Sequence, residues 1–307
     1  MYKFSIITPT LNRSKYLPRV YNSLCKQGIT DFEWIIVDDG STDNTKDTAL
    51  SFEKLFEIKY LYKENAGKPS AMNYGIQNAD SYISLSLDDD DILCPNTLKD
   101  AWEYFDMDTK TFKNNCVCLS GLSIYENGDI IGHKFPHDYY VSDHIRYVKN
   151  QNILGDKCDF FLTEIYRKFP FPLINNDRQI APGIINIQVS FIYKILYINH
   201  VFQQKEFLEG GLSTQNYWYK NPFNSEYFYN VSSVPPFNLK LQIKNSAKYI
   251  FYARMNKKKN IFKNANNKNI FFLGLISYNI YTIKEYLCKF PFFKKILKPK
   301  SYNKNIT

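Results

Sequence analysis

Short apolar runs alternate with amphipathic stretches along the first third of the chain. FSIITPT (residues 4–10), FEWIIVDDGS (32–41), IKYLYKEN (58–65) and YISLSL (82–87) are near-continuous apolar runs, each ending in polar residues. Between them, residues 14–27 place Leu17, Val20, Tyr21 and Leu24 at helical spacing before Gly28. TDNTKDTALSFEKL predicts a helix opened by Thr42 or Asp43, and KPSAMNYGIQNA a third, with Ser70 as its cap. Continuously apolar strands that alternate with helices predict an α/β fold: a mostly parallel central sheet with helices on both faces.

In such a sheet, ligands gather beyond the carboxyl ends of the strands. The polar residues collect at those ends: Thr8, Asn12 and Arg13 after the first strand, Asp38 and Asp39 after the second, Glu64, Asn65 and Lys68 after the third. The fourth runs into Asp88, Asp89, Asp90 and Asp91. Four adjacent carboxylates repel one another unless a cation joins them, and an oxygen-only set suits Mn²⁺ or Mg²⁺. Taken alone, such a run reads more readily as a solvated acidic turn before a helix near Pro95 and Asn96. Convergence of four strand ends favours a metal–diphosphate site.

After residue 115 the pattern turns β-rich. CVCLSGLSIYENGDIIGHKF predicts a hairpin around Asn127-Gly128, KCDFFLTEIYRK a strand leading to a turn at Pro170 and Pro172, and QVSFIYKILYINHVFQQK at least one further strand. From about residue 240 the chain becomes rich in Lys and Asn. Residues 270–289 place Phe272, Ile276, Ile280, Ile283 and Leu287 along one helical face, with an uncharged stretch too short to span a bilayer. Two readings stand for this helix, one lying in a membrane interface and one docked on the domain.

Charge separates them. The chain carries +9, yet residues 248–307 hold fourteen Lys or Arg against the single acid Glu285, which makes this stretch +13 and the remainder −4. A basic tail on an acidic body points to an anionic surface. The apolar helical face, and the lack of a recognisable nucleic-acid module, favour membrane headgroups over nucleic acid. Met1-Tyr2-Lys3 leads directly into the first strand, so no signal peptide is expected. The cysteines show no metal-ligand spacing, and free thiols in a reducing compartment are expected.

Taken together, IITPTLNR, IIVDDGSTDNT, ENAGKPSAMNYGI and LDDDD, in that order, resemble the motifs of family 2 glycosyltransferases of the bacterial surface-polysaccharide type, with Leu11 where that family carries Tyr. The resemblance is dense over residues 3–106; EIYRK and FLEGGLSTQ resemble later blocks. It implies the GT-A nucleotide-sugar fold, with residues 1–115 as the nucleotide-sugar half, 116–240 as the acceptor half and 241–307 as a basic appendage. Thr8, Pro9, Thr10, Asp38 and Asp39 would hold base and ribose, UDP being favoured because a carboxylate accepts well from the uracil imide. Arg13 and Lys68 would approach the diphosphate. Asp90 would ligate the metal, with Asp89 beside it and Asp88 on ribose or a metal-bound water.

The implied reaction is inverting transfer of a sugar to a hydroxyl of a glycan, lipid-linked at the inner face of the cell membrane. The family's base would stand near APGII, where this chain has Gly183. Asp177 and Glu164 are the remaining candidates. A catalytically degenerate sugar-nucleotide or glycan binder stays open, and so does a nucleotidyltransferase, although TPTLNRSKYL lacks the glycines of a triphosphate loop.

Overall fold

A computed structural model describes residues 1–107, 115–175, 177–180, 183–206 and 220–287, with side chains in the last helix to residue 279. Two compact units divide the chain, Met1–Asn224 and Ser225–Thr307.

In the first unit, β1 (Tyr2–Thr10), β2 (Phe32–Asp38), β3 (Glu57–Tyr62) and β4 (Ser81–Ser86) pair in parallel in the order β3-β2-β1-β4. β1 from Phe4 onward and all of β2 are buried, as their unbroken apolar character requires. The helices α1 (Leu17–Leu24), α2 (Thr45–Ser51) and α3 (Lys68–Gln77) connect them. α3 closes tightly on the sheet because Gly75 carries no side chain: a Cβ there would come within 2.5 Å of Ile7 Cγ2.

α2 begins at Thr45 rather than at 42 or 43, because the Asp43 carboxylate accepts from the backbone N and hydroxyl of Thr45 and from Ser14, which holds the preceding turn out of the helix. α3 is preceded by Gly67, not capped by Ser70, since Pro69 fits the first turn.

Beyond β4 the sheet becomes mixed, reaching nine strands among the described residues. After α4 (Thr97–Met107) come β6 (Cys116–Ile124) and β8 (Lys157–Leu162); β8 lies antiparallel between β4 and β6. β9 (Lys194–Gln204) runs parallel to β6, and the short β5 (Ile92–Leu93) and β7 (Tyr140–Ser142) pair antiparallel to β9.

The turn at Asn127-Gly128 is present, with Gly128 N donating to the Tyr125 carbonyl, but only Ile124 and Ile130 bridge across it. KCDFFLTEIYRK is not one strand. Pairing with β4 stops at Ile83↔Leu162, and Thr163–Lys168 form helix α5, whose Thr163 hydroxyl meets Ser81 and Ser84. α6 (Ile184–Val189) follows Gly183, which takes a left-handed conformation with φ +73°.

In the second unit, α7 (Leu239–Met255) and α8 (Lys268–Leu287) pack together. Asn238 caps α7 by accepting from Leu241 N, and Gly274 lets α8 approach Ser246. Phe271 is buried in this packing, whereas Phe272 and Ile276 are exposed. The side chains of Ile280, Ile283 and Leu287, and the segment FPFFKKILKPK, lie outside the described residues. No described helix is long and apolar enough to cross a membrane.

Candidate active site

Parallel pairing brings four strand ends to one edge. Asp39 N donates to the Thr10 carbonyl (2.9 Å), Lys63 N to the Asp38 carbonyl (3.0 Å) and Leu87 N to the Ile7 carbonyl (3.0 Å). The polar tips are therefore fixed by the sheet itself rather than by flexible loops.

Side chains then tie the tips together. Asp39 is buried; it accepts from Gly67 N at 2.7 Å and Ala66 N at 3.1 Å, and pairs with Lys63 at 2.7 Å. Lys68, at the start of α3, pairs with Asp88 at 2.6 Å. Arg13 forks between Asp89 (2.8 Å) and Asp90 (2.9 Å), and the Thr10 hydroxyl donates to Asp89 at 2.8 Å. Asp39 and Asp90 thus lie at one edge of the sheet, linked through Gly67, Lys68 and Asp88. Beside it, a recess is lined by Asp38, Ser41, Thr42, Asp43, Tyr60 and Tyr62. Asp38 accepts there from Ser41 N (2.7 Å) and the Tyr60 hydroxyl (2.6 Å), a contact that together with burial pushes the Tyr60 pKa up.

Further residues complete or leave the set. Asp91 is buried and paired with Lys205 at 2.5 Å, with Gln203 donating at 2.9 Å. The amide and the amine both come from the end of β9, over 110 residues away in sequence. The sequence signal for Lys205 is a lone cation closing an apolar strand. Thr8, two residues before Thr10, is instead fully buried, and its hydroxyl accepts from Trp34 Nε1 at 2.9 Å. Pro9 is buried between them.

The candidate bases are split. Glu164 is exposed in the first turn of α5, against the amino end of β4, where its charge raises the Tyr82 pKa behind the larger effect of that phenol's burial. The structure does not bring Glu164 to the carboxyl ends, because β8 is antiparallel to β4 and delivers the chain to the opposite end of the sheet. Asp177 lies near the mouth, one residue from Arg178, whose carbonyl accepts from Lys68 N at 3.1 Å. Its carboxylate, however, accepts from Asn224 N at 2.8 Å. Burial raises its pKa, while the backbone of Phe223 and Asn224 and the Asn224 side chain pull it back. That arrangement makes Asp177 a clamp on the segment at Asn224.

The donor set fits a hard cation. One carboxylate oxygen from each of Asp88, Asp90 and Asp91 lies within 4.8 Å of the others. The side chains of Arg13 and Lys68 are 28% and 37% exposed, so both have room to exchange these carboxylates for a phosphate. Burial alone would raise Asp88, but Lys68, Lys205 and Arg13 outweigh it and hold it at about 2. Burial lifts Asp89 to about 7, with Asp90 and Asp88 adding and Arg13 and Thr10 opposing. Burial likewise lifts Asp91 to about 7 against Lys205. Lys205 is itself raised, Asp91 and Asp88 outweighing its burial; the 2.5 Å contact is that of an ionised pair.

These shifts give a signed expectation. In metal-free protein, Asp89, beside the cluster, binds a proton more tightly folded than unfolded, so the stability it contributes at low pH is lost as pH rises towards 7. A divalent cation needs the ionised forms. The rise in melting temperature on adding Mn²⁺ should be larger at about pH 7.5 than at about pH 5.5. Equal shifts at both values would detach these carboxylates from cation binding.

The family model for "Glycosyl transferase family 2" matches residues 5–163, about half of the chain, including all four strand tips. The chain belongs to glycosyl transferase family 2. Among relatives, it is 38% identical over 110 residues to the poly(ribitol-phosphate) beta-N-acetylglucosaminyltransferase TarS of Staphylococcus aureus, covering 34% of this chain and 19% of TarS. It is 32% identical over 196 residues to an uncharacterized glycosyltransferase of Rickettsia typhi, covering 64% of this chain and 55% of that protein.

Among solved structures, S. aureus TarS 1–349 in complex with UDP-GlcNAc superposes with a TM-score of 0.61 at 18% identity, over 96% of this chain and 83% of that one. A mannosyltransferase of Pyrobaculum calidifontis in complex with GDP-Man and Mn²⁺ gives a TM-score of 0.52 at 14% identity, over 96% and 83%. At these identities the superpositions establish the fold, a GT-A-like α/β architecture. The match to TarS spans about a fifth of that protein's length.

Proposed function

We propose that this family 2 member transfers a sugar, with inversion, from a nucleoside diphosphate donor, UDP-sugar favoured, to a hydroxyl of a lipid-linked glycan. The observation that carries the reading is the clustering of Asp88, Asp90 and Asp91 with two partly exposed cations, Arg13 and Lys68, at the mouth formed by four strand tips. Anionic and cationic groups in one pocket match a ligand that brings phosphates together with a divalent ion.

Asp90 and Asp88 would hold Mn²⁺ or Mg²⁺, and such an ion, when bound, neutralises charge on the leaving diphosphate. Arg13 and Lys68 turn from their carboxylates to the phosphates. Lys68 opens α3, where backbone N–H groups add to the attraction for an anion. Asp38, Asp39 and the recess beside Tyr60 take the nucleoside; the structures of TarS with UDP-GlcNAc and with UDP support that donor class. In this reading the strand ends hold the donor and the second half of the unit takes the acceptor.

Incubation with radiolabelled UDP-sugars should give Mn²⁺-dependent release of the sugar to water or acceptor. Tight nucleotide binding without turnover would favour the degenerate binder instead.

The basic C-terminal unit supplies the membrane contact in this reading, at the inner face of the cell membrane. Phe272 and Ile276 are 60% and 58% exposed on a helix within the segment that carries +13, a combination suited to an anionic lipid surface. The Phe272→Asp/Ile276→Asp variant should lose most sedimentation with phosphatidylglycerol liposomes while its melting temperature stays near that of the parent. Undiminished binding would remove this face from the account.

A further inference from the structure

The proposed transfer needs a group that takes the proton of the acceptor hydroxyl; Glu164 lies at the opposite end of the sheet, and the Asp177 carboxylate is engaged by Asn224. A further carboxylate outside the donor cluster lies on the strand beside β4. Asp159 sits on β8, the strand next to β4, and the β4–β8 register runs Ile83↔Leu162, Ser84↔Phe161, Leu85↔Phe160. The pairing ends there, and continuing it by one step would set Asp159 opposite Ser86, two residues before Asp88. Strand spacing and rise then put it roughly 8 Å from Asp88. The phenol of the buried Tyr166 senses both carboxylates, which raise its pKa behind the larger effect of burial.

Asp159 is also built to be a single, oriented acceptor of protons. Its Oδ1 accepts from the Ser120 hydroxyl at 2.6 Å and its Oδ2 from Asn186 Nδ2 at 2.7 Å, so two different elements, β6 and α6, lock its plane. The side chain is half-buried. Burial holds its pKa above the usual carboxylate range against those two hydrogen bonds and the charge of Lys157.

Gly183, three residues before Asn186, has room for a side chain among the described residues. A Cβ built on Gly183, at the start of α6, would meet among the described residues one heavy atom within 4 Å, the Lys149 Nζ at 3.9 Å. Lys149 is close enough to Asp159 for that carboxylate to counter the depression of its pKa by burial. The position that carries an acid in the resembling sequences thus has no side chain here and is edged, among the described residues, by a lysine.

Resting on the proposed glycosyl transfer, we infer that Asp159 is the catalytic base. The acceptor O–H bond breaks with its proton passing to an Asp159 oxygen, and the freed oxygen pair bonds the anomeric carbon. The anomeric C–O bond to phosphate breaks, and that electron pair leaves with the nucleoside diphosphate. Asp159 then returns its proton to solvent. Ser120 and Asn186 are positioning residues that aim the carboxylate.

The test measures UDP release from UDP-GlcNAc, UDP-glucose and UDP-galactose with Mn²⁺, water serving as acceptor, alongside UDP affinity and melting temperature. Asp159→Asn should lower kcat at least a hundredfold, with UDP affinity within about twofold of the parent. The Asp159→Asn/Asn186→Asp exchange keeps an amide–carboxylate pair but moves the charge to α6; it should melt near the parent and stay slow. Turnover within threefold of the parent in either variant overturns the inference while leaving the proposed function standing. Loss of UDP affinity in parallel with turnover in both variants also overturns it, by making Asp159 structural. A parent silent on all three donors, with UDP bound, would overturn the proposed function and this inference together.

Discussion

Replacing Asp90 with alanine should lower sugar transfer by about a thousandfold, a loss of about 4 kcal/mol in transition-state stabilisation. Asp90 is a member of the carboxylate group that could hold an ion, and its other partner is Arg13. Removing it takes away a ligand oxygen and also frees one arm of the guanidinium. The two consequences are separable. Loss of the ion lowers kcat and abolishes the Mn²⁺ thermal shift. Release of Arg13 leaves a cation available to the diphosphate, so UDP affinity without metal should hold or rise slightly. Asp90→Asn, which keeps an oxygen and the contact to Arg13, should fall between parent and alanine. Full activity in Asp90→Ala would show that Asp90 does not serve the ion, whatever the rest of the cluster does.

Gly67→Ala should be the most damaging small substitution near the mouth. Gly67 takes φ +91° and ψ 161°, a region essentially closed to side-chain-bearing residues. There is no room either: an added Cβ would lie 2.5 Å from Arg178 Cα and 2.7 Å from its carbonyl oxygen. Because those contacts are backbone, neither chain can relieve them by a rotamer change. The same residue gives its N–H to Asp39 at 2.7 Å and leads into Lys68. The variant should lose about 2–4 kcal/mol of stability and bind UDP at least tenfold more weakly. Gly128→Ala is the control, since φ there is +86° with nothing within 4 Å of the added carbon; it should cost about 1 kcal/mol and leave UDP binding alone. Equal effects from the two would mean that the approach of Arg178 to Gly67 is unimportant.

What was legible in the sequence follows from local physics. β1, β2, β3 and β4 announce themselves because strands buried on both faces must be apolar throughout, and their polar ends mark the mouth without any knowledge of pairing. Arg13, Asp39, Lys68, Asp88, Asp89 and Asp90 meet as that pattern implies. Thr8 and Thr10 share a two-residue period, yet the Thr10 hydroxyl meets Asp89 while that of Thr8 is taken by Trp34, a partner that sequence spacing does not disclose.

The second half was opaque for a different reason. Its strands insert out of order, with β8 between β4 and β6, so chain order gives no guide to neighbours. Lys205 reaches Asp91 only because β9 ends beside β5. Asp159 looks, in CDFFL, like a lone acid in an apolar run; its proposed role depends on β8 lying beside β4, which chain order does not reveal. A hard-to-bury acid inside a strand is a signal that can be read in sequence, but not its partner.

Isothermal titration of UDP into the full chain, with millimolar Mn²⁺ and again with EDTA, tests the mouth most directly. The account requires saturable one-to-one binding that is at least tenfold tighter with Mn²⁺, and loss of that gain in Asp90→Ala. Binding of equal strength in both buffers, or none in either, would contradict a metal–diphosphate site at the strand tips.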